Sequence, residues 1–172
     1  MLKYALFEYI PRRHQNRASF EQQETCRRIL DFKDGRTYAK RWAAEEVARA
    51  LSMADLKGVV VVCVPASCQH TYVRRFKKFS KMLCAFCGAA DGFNCIEVIG
   101  HRKKAHHGAQ RDESLVENVV ISSSLQGRRV LLIDDIYTTG TTSDAFARRL
   151  SEVGADVRCA VFLGKTRRYR TA

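Results

Sequence analysis

Residues 130–146 read VLLIDDIYTTGTTSDAF, and the order within them decides the fold: an apolar run, two adjacent carboxylates, a short Thr/Gly turn, then a helix-like pattern. A strand that runs through a tight turn into a helix is the repeating half-unit of an open α/β sheet, whose ligands bind at the carboxyl ends of the strands. Such a turn presents backbone N–H groups and hydroxyls around a concave surface. The helix N-terminus adds positive potential, so the place suits a phosphate. Thr138, Thr139, Thr141 and Thr142 each bring a hydroxyl, and Gly140 lets the backbone approach closely. Asp134 and Asp135 complement them, because ionised carboxylates only accept hydrogen bonds and so suit the vicinal hydroxyls of a sugar or a hydrated Mg2+. Phosphate donors on one side and two acids on the other fit a ribose 5-phosphate. The plain alternative is a capped turn with solvated acids; the joining of all three features in one turn argues against it. No G-x-x-x-x-G-K-S/T run occurs, so this is not a Walker A loop.

Working outward, the same alternation of strand and helix recurs. GVVVVCVP (58–65) is a continuous β-branched run, as in a strand buried on both faces of a parallel sheet. It precedes a helix with Phe76, Phe79, Leu83 and Phe86 along one stripe, and then a strand over Asn94–Ile99. Residues 101–117 are polar and without period, which predicts a long exposed loop of the kind that often carries function. Downstream, the helix SDAFARRLSEV stops at Gly154 and VRCAVFLG forms another buried strand. Upstream, Lys3–Tyr9 alternates as a strand, a helix follows Ser19, Asp34-Gly35 turns, and Thr37–Leu51 places Trp42, Ala43, Val47, Ala50 and Leu51 at helical spacing. The fold class predicted is α/β, a mainly parallel twisted sheet flanked by helices. No repeat or linker divides residues 1–172, so one domain is expected.

Composition narrows the function. The chain of 172 residues is 46% hydrophobic, enough for a core, and no apolar run is long enough to cross a membrane. The opening MLKYALFEYI has no small-residue cleavage site, so a signal peptide is not expected. Seven Cys is an odd, scattered set, which points to a reducing, cytoplasmic compartment. A net charge of +12 attracts polyanions, and residues 67–104 hold eight basic residues against Asp91 and Glu97.

VLLIDDIYTTGTT, thirteen contiguous residues, resembles the 5-phosphoribosyl-1-pyrophosphate (PRPP) binding motif of the type I phosphoribosyltransferases. The resemblance implies that Asp134 and Asp135 hold the ribose hydroxyls and that Thr138, Thr139, Gly140, Thr141 and Thr142 cradle the 5-phosphate. It further implies Mg2+ bound through PRPP rather than in a protein cage, with Asp134 and Asp135 nearby, and transfer of phosphoribose to a nitrogenous acceptor with pyrophosphate leaving. A small N-terminal hood over residues 1–57, a core over 58–164 and a basic tail over 165–172 follow from the same likeness. The wider chain is similar to the ComF-like branch: ILDFKDG (29–35) resembles its Lys-containing lead-in, VCVPAS (62–67) its first core strand and loop, and RRF (74–76) its basic-aromatic signature. The zinc ribbon that often opens that branch is not in this sequence, and its Arg-Gly-Phe-Asn-Gln pattern reads here as Arg75-Phe76-Lys77-Lys78.

By the same resemblance, Ala66, Ser67 and Cys68 contact pyrophosphate, while Arg74 and Arg75 suit either a phosphate or an acid across the fold. Arg102, Lys103 and Lys104 begin the long loop, which closes over the site in this family; Lys104 or Arg102 brings positive charge to the pyrophosphate. His106 and His107 are read as exposed. Cys84-x-x-Cys87 lies late in a helix beside its apolar stripe and is read as core packing rather than a zinc or redox site. Tyr9, Phe32, Trp42 and Tyr137 either stack on a base or fill core, with core expected for Trp42. The competing function is a non-catalytic PRPP sensor or a nucleic-acid-binding accessory protein of DNA uptake, which the charge and the tail KTRRYRTA support. Homodimers are common in the family.

Overall fold

The structure, a computed structural model, describes residues 1–100 and 116–167. Its strands are β1 (Leu2–Tyr9), β2 (Val59–Cys63), β3 (Ala90–Asp91), β4 (Ile96–Val98), β5 (Val119–Ile121), β6 (Arg129–Tyr137) and β7 (Asp156–Thr166). The α-helices are α1 (Phe20–Lys33), α2 (Thr37–Ala50), α3 (Gln69–Cys87) and α4 (Thr141–Glu152). Five strands form one parallel sheet in the order β1-β7-β6-β2-β3, and β4 and β5 pair separately as an antiparallel hairpin. This is the expected mainly parallel α/β architecture.

Local chemistry accounts for the elements. VVVVC of β2 is buried at every position, because a central strand covered on both faces tolerates no polar side chain. A capping box starts α1: Gln22 N–H donates to Ser19 Oγ at 3.2 Å, and Ser19 N–H to Gln22 Oε1 at 3.0 Å. Small side chains at Ala39, Ala43 and Ala44 line the buried stripe of α2, which packs against α3. A left-handed Gly88 ends α3.

Three expectations change. Phe86 is exposed, and Tyr72 takes its place beside Phe76, Phe79 and Leu83; Tyr72 stacks on Phe93 with ring centres 4.9 Å apart. The strand expected over Asn94–Ile99 shortens to β4 and leaves the main sheet, while the two-residue β3 joins it. Val116, expected in an exposed loop, is buried, and its carbonyl accepts from Arg149. Trp42 is half-buried and stacks on Phe7 of β1, which itself runs as an edge strand along β7. Cys84 is buried and Cys87 half-buried at the end of α3.

Register positions the functional end of the sheet. Cys63 lies opposite Ile133, and Val64 N–H donates to Ile133 carbonyl at 2.9 Å. The loop after β2 therefore leaves the sheet beside Asp134.

Candidate functional site

Asp134 and Asp135 sit near the carboxyl end of β6, where alternation sends their side chains to opposite faces. Asp135 is buried and bonded on both oxygens: Oδ1 accepts from Ile136 N–H at 2.7 Å, and Oδ2 pairs with Arg75 Nη1 at 2.7 Å. Arg75 is held in turn, since its Nε donates to the Lys33 carbonyl at the end of α1. Of the two roles read for Arg75, the structure shows the pairing with an acid across the fold. Asp134 has no ion pair among the described residues; its Oδ1 accepts only from Asp135 N–H, at 2.8 Å. Burial and the adjacent Asp135 carboxylate push the Asp134 carboxyl well above the usual carboxylate range, with the Asp135 amide, Arg75 and Lys33 opposing. An uncompensated, partly desolvated carboxylate of this kind suits a hydroxyl donor or a nearby divalent cation.

The Thr/Gly turn follows directly. Gly140 has φ +83°, and a Cβ there would lie 2.6 Å from Tyr137 Cε2, so glycine is required both by conformation and by close approach. Asp144 N–H to Gly140 carbonyl is the first intrahelical bond of α4, which leaves the Thr142 and Ser143 amides at its open start. Thr139 Oγ1 and Thr141 Oγ1 share a hydrogen bond at 2.9 Å, and Ser143 Oγ donates to Gly140 carbonyl. The loop is thus cross-braced before any ligand arrives.

A cleft of about 390 Å³ opens over this end of the sheet. One wall carries Asp134, Asp135, Ile136, Thr138 and Thr142, and the other carries Val64, Pro65, Ala66, Ser67, Thr71 and Arg75, with Tyr9 and Lys33 closing an edge. Of the residues singled out from sequence, the structure gathers Asp134, Asp135, Thr138, Thr142, Ala66, Ser67 and Arg75 around one space. Thr139, Gly140 and Thr141 shape the turn without lining the cleft. Cys68 immediately precedes α3, with its Sγ 3.3 Å from Thr71 Oγ1; hydrogen bonding of the Thr71 hydroxyl and amide to the sulfur favours the thiolate and lowers its pKa.

Arg74 is not brought in. One residue along a helix is a rotation of about 100°, and Arg74 packs instead under Gly35, where an added Cβ would meet its Cγ at 2.8 Å. Arg102, Lys103, Lys104, His106 and His107 lie outside the described residues. Tyr9, Lys33 and Thr71 line the cleft without having been chosen as PRPP contacts. Lys33 carried a signal, the lysine of ILDFKDG, and Thr71 falls four residues after Ser67, at the first turn of a helix.

A second hollow of about 540 Å³ adjoins the first and shares Thr138 with it; Glu8, Tyr137, Lys165, Thr166 and Arg167 line the rest. All these residues lie at or just beyond the carboxyl ends of β1, β6 and β7. Lys165 lies 5.9 Å over the Tyr137 ring, and the buried Thr166 hydroxyl has no hydrogen-bond partner among the described residues. A more apolar cavity of about 470 Å³ lies at the opposite end, against the first residues of β2, β6 and β7. Parallel sheets do their chemistry at the carboxyl edge, and the carboxylate pair is there. Among the described residues no group of three or more His, Cys, Asp or Glu is placed to hold a metal ion.

The fold and this edge define a class: an open α/β protein with a phosphate-type turn and paired carboxylates at one strand end. The chain belongs to the phosphoribosyl transferase domain family, whose model matches residues 31–171. Among solved structures it is similar to adenine phosphoribosyltransferase from Thermoanaerobacter pseudethanolicus, with 21% identity and a TM-score of 0.48 over 76% of this chain and 70% of that one. It is also similar to adenine phosphoribosyltransferase from Rhodothermus marinus, with 20% identity and a TM-score of 0.46 over 76% and 69%. A third likeness is to purine phosphoribosyltransferase from Pyrococcus horikoshii, with 15% identity and a TM-score of 0.39 over 76% and 89%. No curated protein matches the chain.

Proposed function

We propose that this protein is a phosphoribosyltransferase of the ComF-like branch that binds PRPP and Mg2+ and transfers phosphoribose to a nitrogenous acceptor. The observation that carries the reading is the single cleft in which Asp134, Thr138 and Thr142 of one strand–turn–helix unit face the Ala66–Ser67 loop. In the reaction the bond from ribose C1 to pyrophosphate breaks, the bond from C1 to the acceptor nitrogen forms, and the acceptor's proton is lost. Thr138, Thr142 and the amides that open α4 receive the 5-phosphate. Asp134 accepts the ribose hydroxyls, while Asp135, committed on one oxygen to Arg75, holds the strand end in place. The Ala66–Cys68 amides and Ser67 receive the pyrophosphate. Lys104 or Arg102, from the long loop, neutralises charge on the leaving group and helps exclude water. The adjoining hollow beside Tyr137 takes the acceptor.

The uncompensated Asp134 fits a divalent cation held mainly by PRPP oxygens. That ion supplies charge neutralisation at the pyrophosphate and ribose. A cytoplasmic location and a homodimer belong to the same reading.

The net charge of +12 favours one other account, a PRPP-sensing or nucleic-acid-binding accessory protein that keeps the site without turnover. Calorimetry with PRPP, with and without Mg2+, on wild type and on Asp134→Asn/Asp135→Asn is the test. Mg2+-assisted binding that the double variant loses supports the site, and pyrophosphate release with an added base or amine selects the enzyme. Absence of PRPP binding to folded wild type overturns the reading.

A further inference from the structure

Among the described residues, the charged side chains that line the cleft over β6 are Lys33, Arg75, Asp134 and Asp135. Arg75 and Asp135 neutralise each other. That leaves one carboxylate and one ammonium on the same space, and neither Asp134 nor Lys33 forms an ion pair among the described residues. The acids nearest Lys33 in sequence do not take it up. The Asp31 carboxylate accepts from the Tyr38 hydroxyl, and the exposed Asp34, at the end of α1, has no ion pair among the described residues. Neither of them lines the cleft. The charge of Lys33 is felt at Asp134, whose ionised form it favours.

The backbone under Lys33 is held at two points. Arg75 Nε donates to the Lys33 carbonyl at 2.9 Å while its Nη1 holds Asp135 at 2.7 Å, so one guanidinium ties the end of α1 to the end of β6. Two residues on, Gly35 lies against α3, where an added Cβ would meet the Arg74 carbonyl oxygen at 3.0 Å. Lys33 therefore reaches the cleft from the α3 side, the side of the Ala66–Ser67 loop, and not from α4. A compact ammonium on a clamped backbone, with no acid to satisfy it, is a point charge available to a polyanion.

We propose that Lys33 binds the pyrophosphate group of PRPP as a fixed cation of the cleft wall. The inference rests on the PRPP reading above and assigns the two ends of the ligand. The 5-phosphate goes to the hydroxyls and amides of the Thr138–Thr142 turn, which holds no basic side chain. The pyrophosphate, the more highly charged end, goes to Lys33 beside the Ala66–Ser67 loop.

Calorimetry on the full chain at constant Mg2+ and ionic strength tests this with PRPP, ribose 5-phosphate and sodium pyrophosphate as probes. Lys33→Met keeps the aliphatic stem at an exposed position, so its melting temperature is expected to stay near wild type. Its affinity for PRPP and for pyrophosphate falls about tenfold or more, while that for ribose 5-phosphate stays near wild type. Lys33→Arg recovers most of the loss. Lys77→Met, exposed on α3 and outside the cleft, removes the same unit of net charge and leaves the three affinities near wild type. Equal losses of PRPP and ribose 5-phosphate affinity in Lys33→Met, or a matching loss in Lys77→Met, overturn the assignment. Unchanged PRPP affinity in folded Lys33→Met overturns it while the PRPP reading stands; no PRPP binding to folded wild type overturns both.

Discussion

Asp134 carries a cost that its neighbours do not remove. Its folded pKa is raised, so between the unfolded value near 3.8 and the raised folded value the native state binds the extra proton. Stability contributed by this group is therefore lost as pH rises through that window and stays lost above it. Asp134→Asn is expected to raise the melting temperature at neutral pH, an advantage that shrinks as pH falls towards about 4, while Mg2+-assisted PRPP binding disappears. A lowered melting temperature at pH 7 contradicts that account of the group. Asp135, by contrast, is paired with Arg75. Arg75→Leu leaves a buried carboxylate without its partner and is expected to cost about 3 kcal/mol of stability by urea titration. Removing both charges in Arg75→Leu/Asp135→Leu recovers much of that loss, since the buried ion is then gone.

At the scale of elements, the turn between β6 and α4 is built for close approach. Gly140→Ala asks an L-residue for φ +83° and drives a Cβ into the Tyr137 ring. A destabilisation of about 1–2 kcal/mol is expected, together with weaker PRPP binding, because the α4 amides shift with the turn. Gly92 is the control. A Cβ there would lie 2.6 Å from Val60 Cγ1 and 2.7 Å from the Val61 carbonyl, at the edge strand and away from the cleft. Gly92→Ala is expected to lose about 1–3 kcal/mol while calorimetric PRPP affinity stays near wild type. Equal loss of affinity in both variants removes the special role of the turn. Much of this scale was readable from sequence, since the β2 run, the capping box at Ser19 and the helix stop at Gly154 all rest on neighbours within a few residues. The exchange of Phe86 for Tyr72 was not, because a stripe on a long helix has two shoulders and only the partner, here Phe93, selects between them.

For the whole molecule, the proposed function assigns PRPP arrival to the net charge and turnover to Arg102, Lys103 and Lys104. A net charge of +12 draws a phosphorylated anion towards the cleft, so the PRPP association rate is expected to fall steeply as salt rises from about 0.05 to 0.3 M, with a smaller change in dissociation. Replacing Arg102, Lys103 and Lys104 together with Ala is expected to reduce turnover at least tenfold while PRPP binding changes only severalfold. Unchanged turnover removes the loop from the chemistry.

Local pattern alone determined the alternation of strands and helices, the parallel sheet and the strand–turn–helix unit of residues 130–146, because periodicity, caps and turns are written within a few residues of one another. Pairings between distant segments had no such record. Only the tertiary structure joined Arg75 to Asp135 across sixty residues of chain, turned Arg74 away beneath Gly35 and set β1 along β7. Adjacent residues on a helix point in directions about 100° apart, and which of them meets the carboxylate depends on how α3 lies against the sheet.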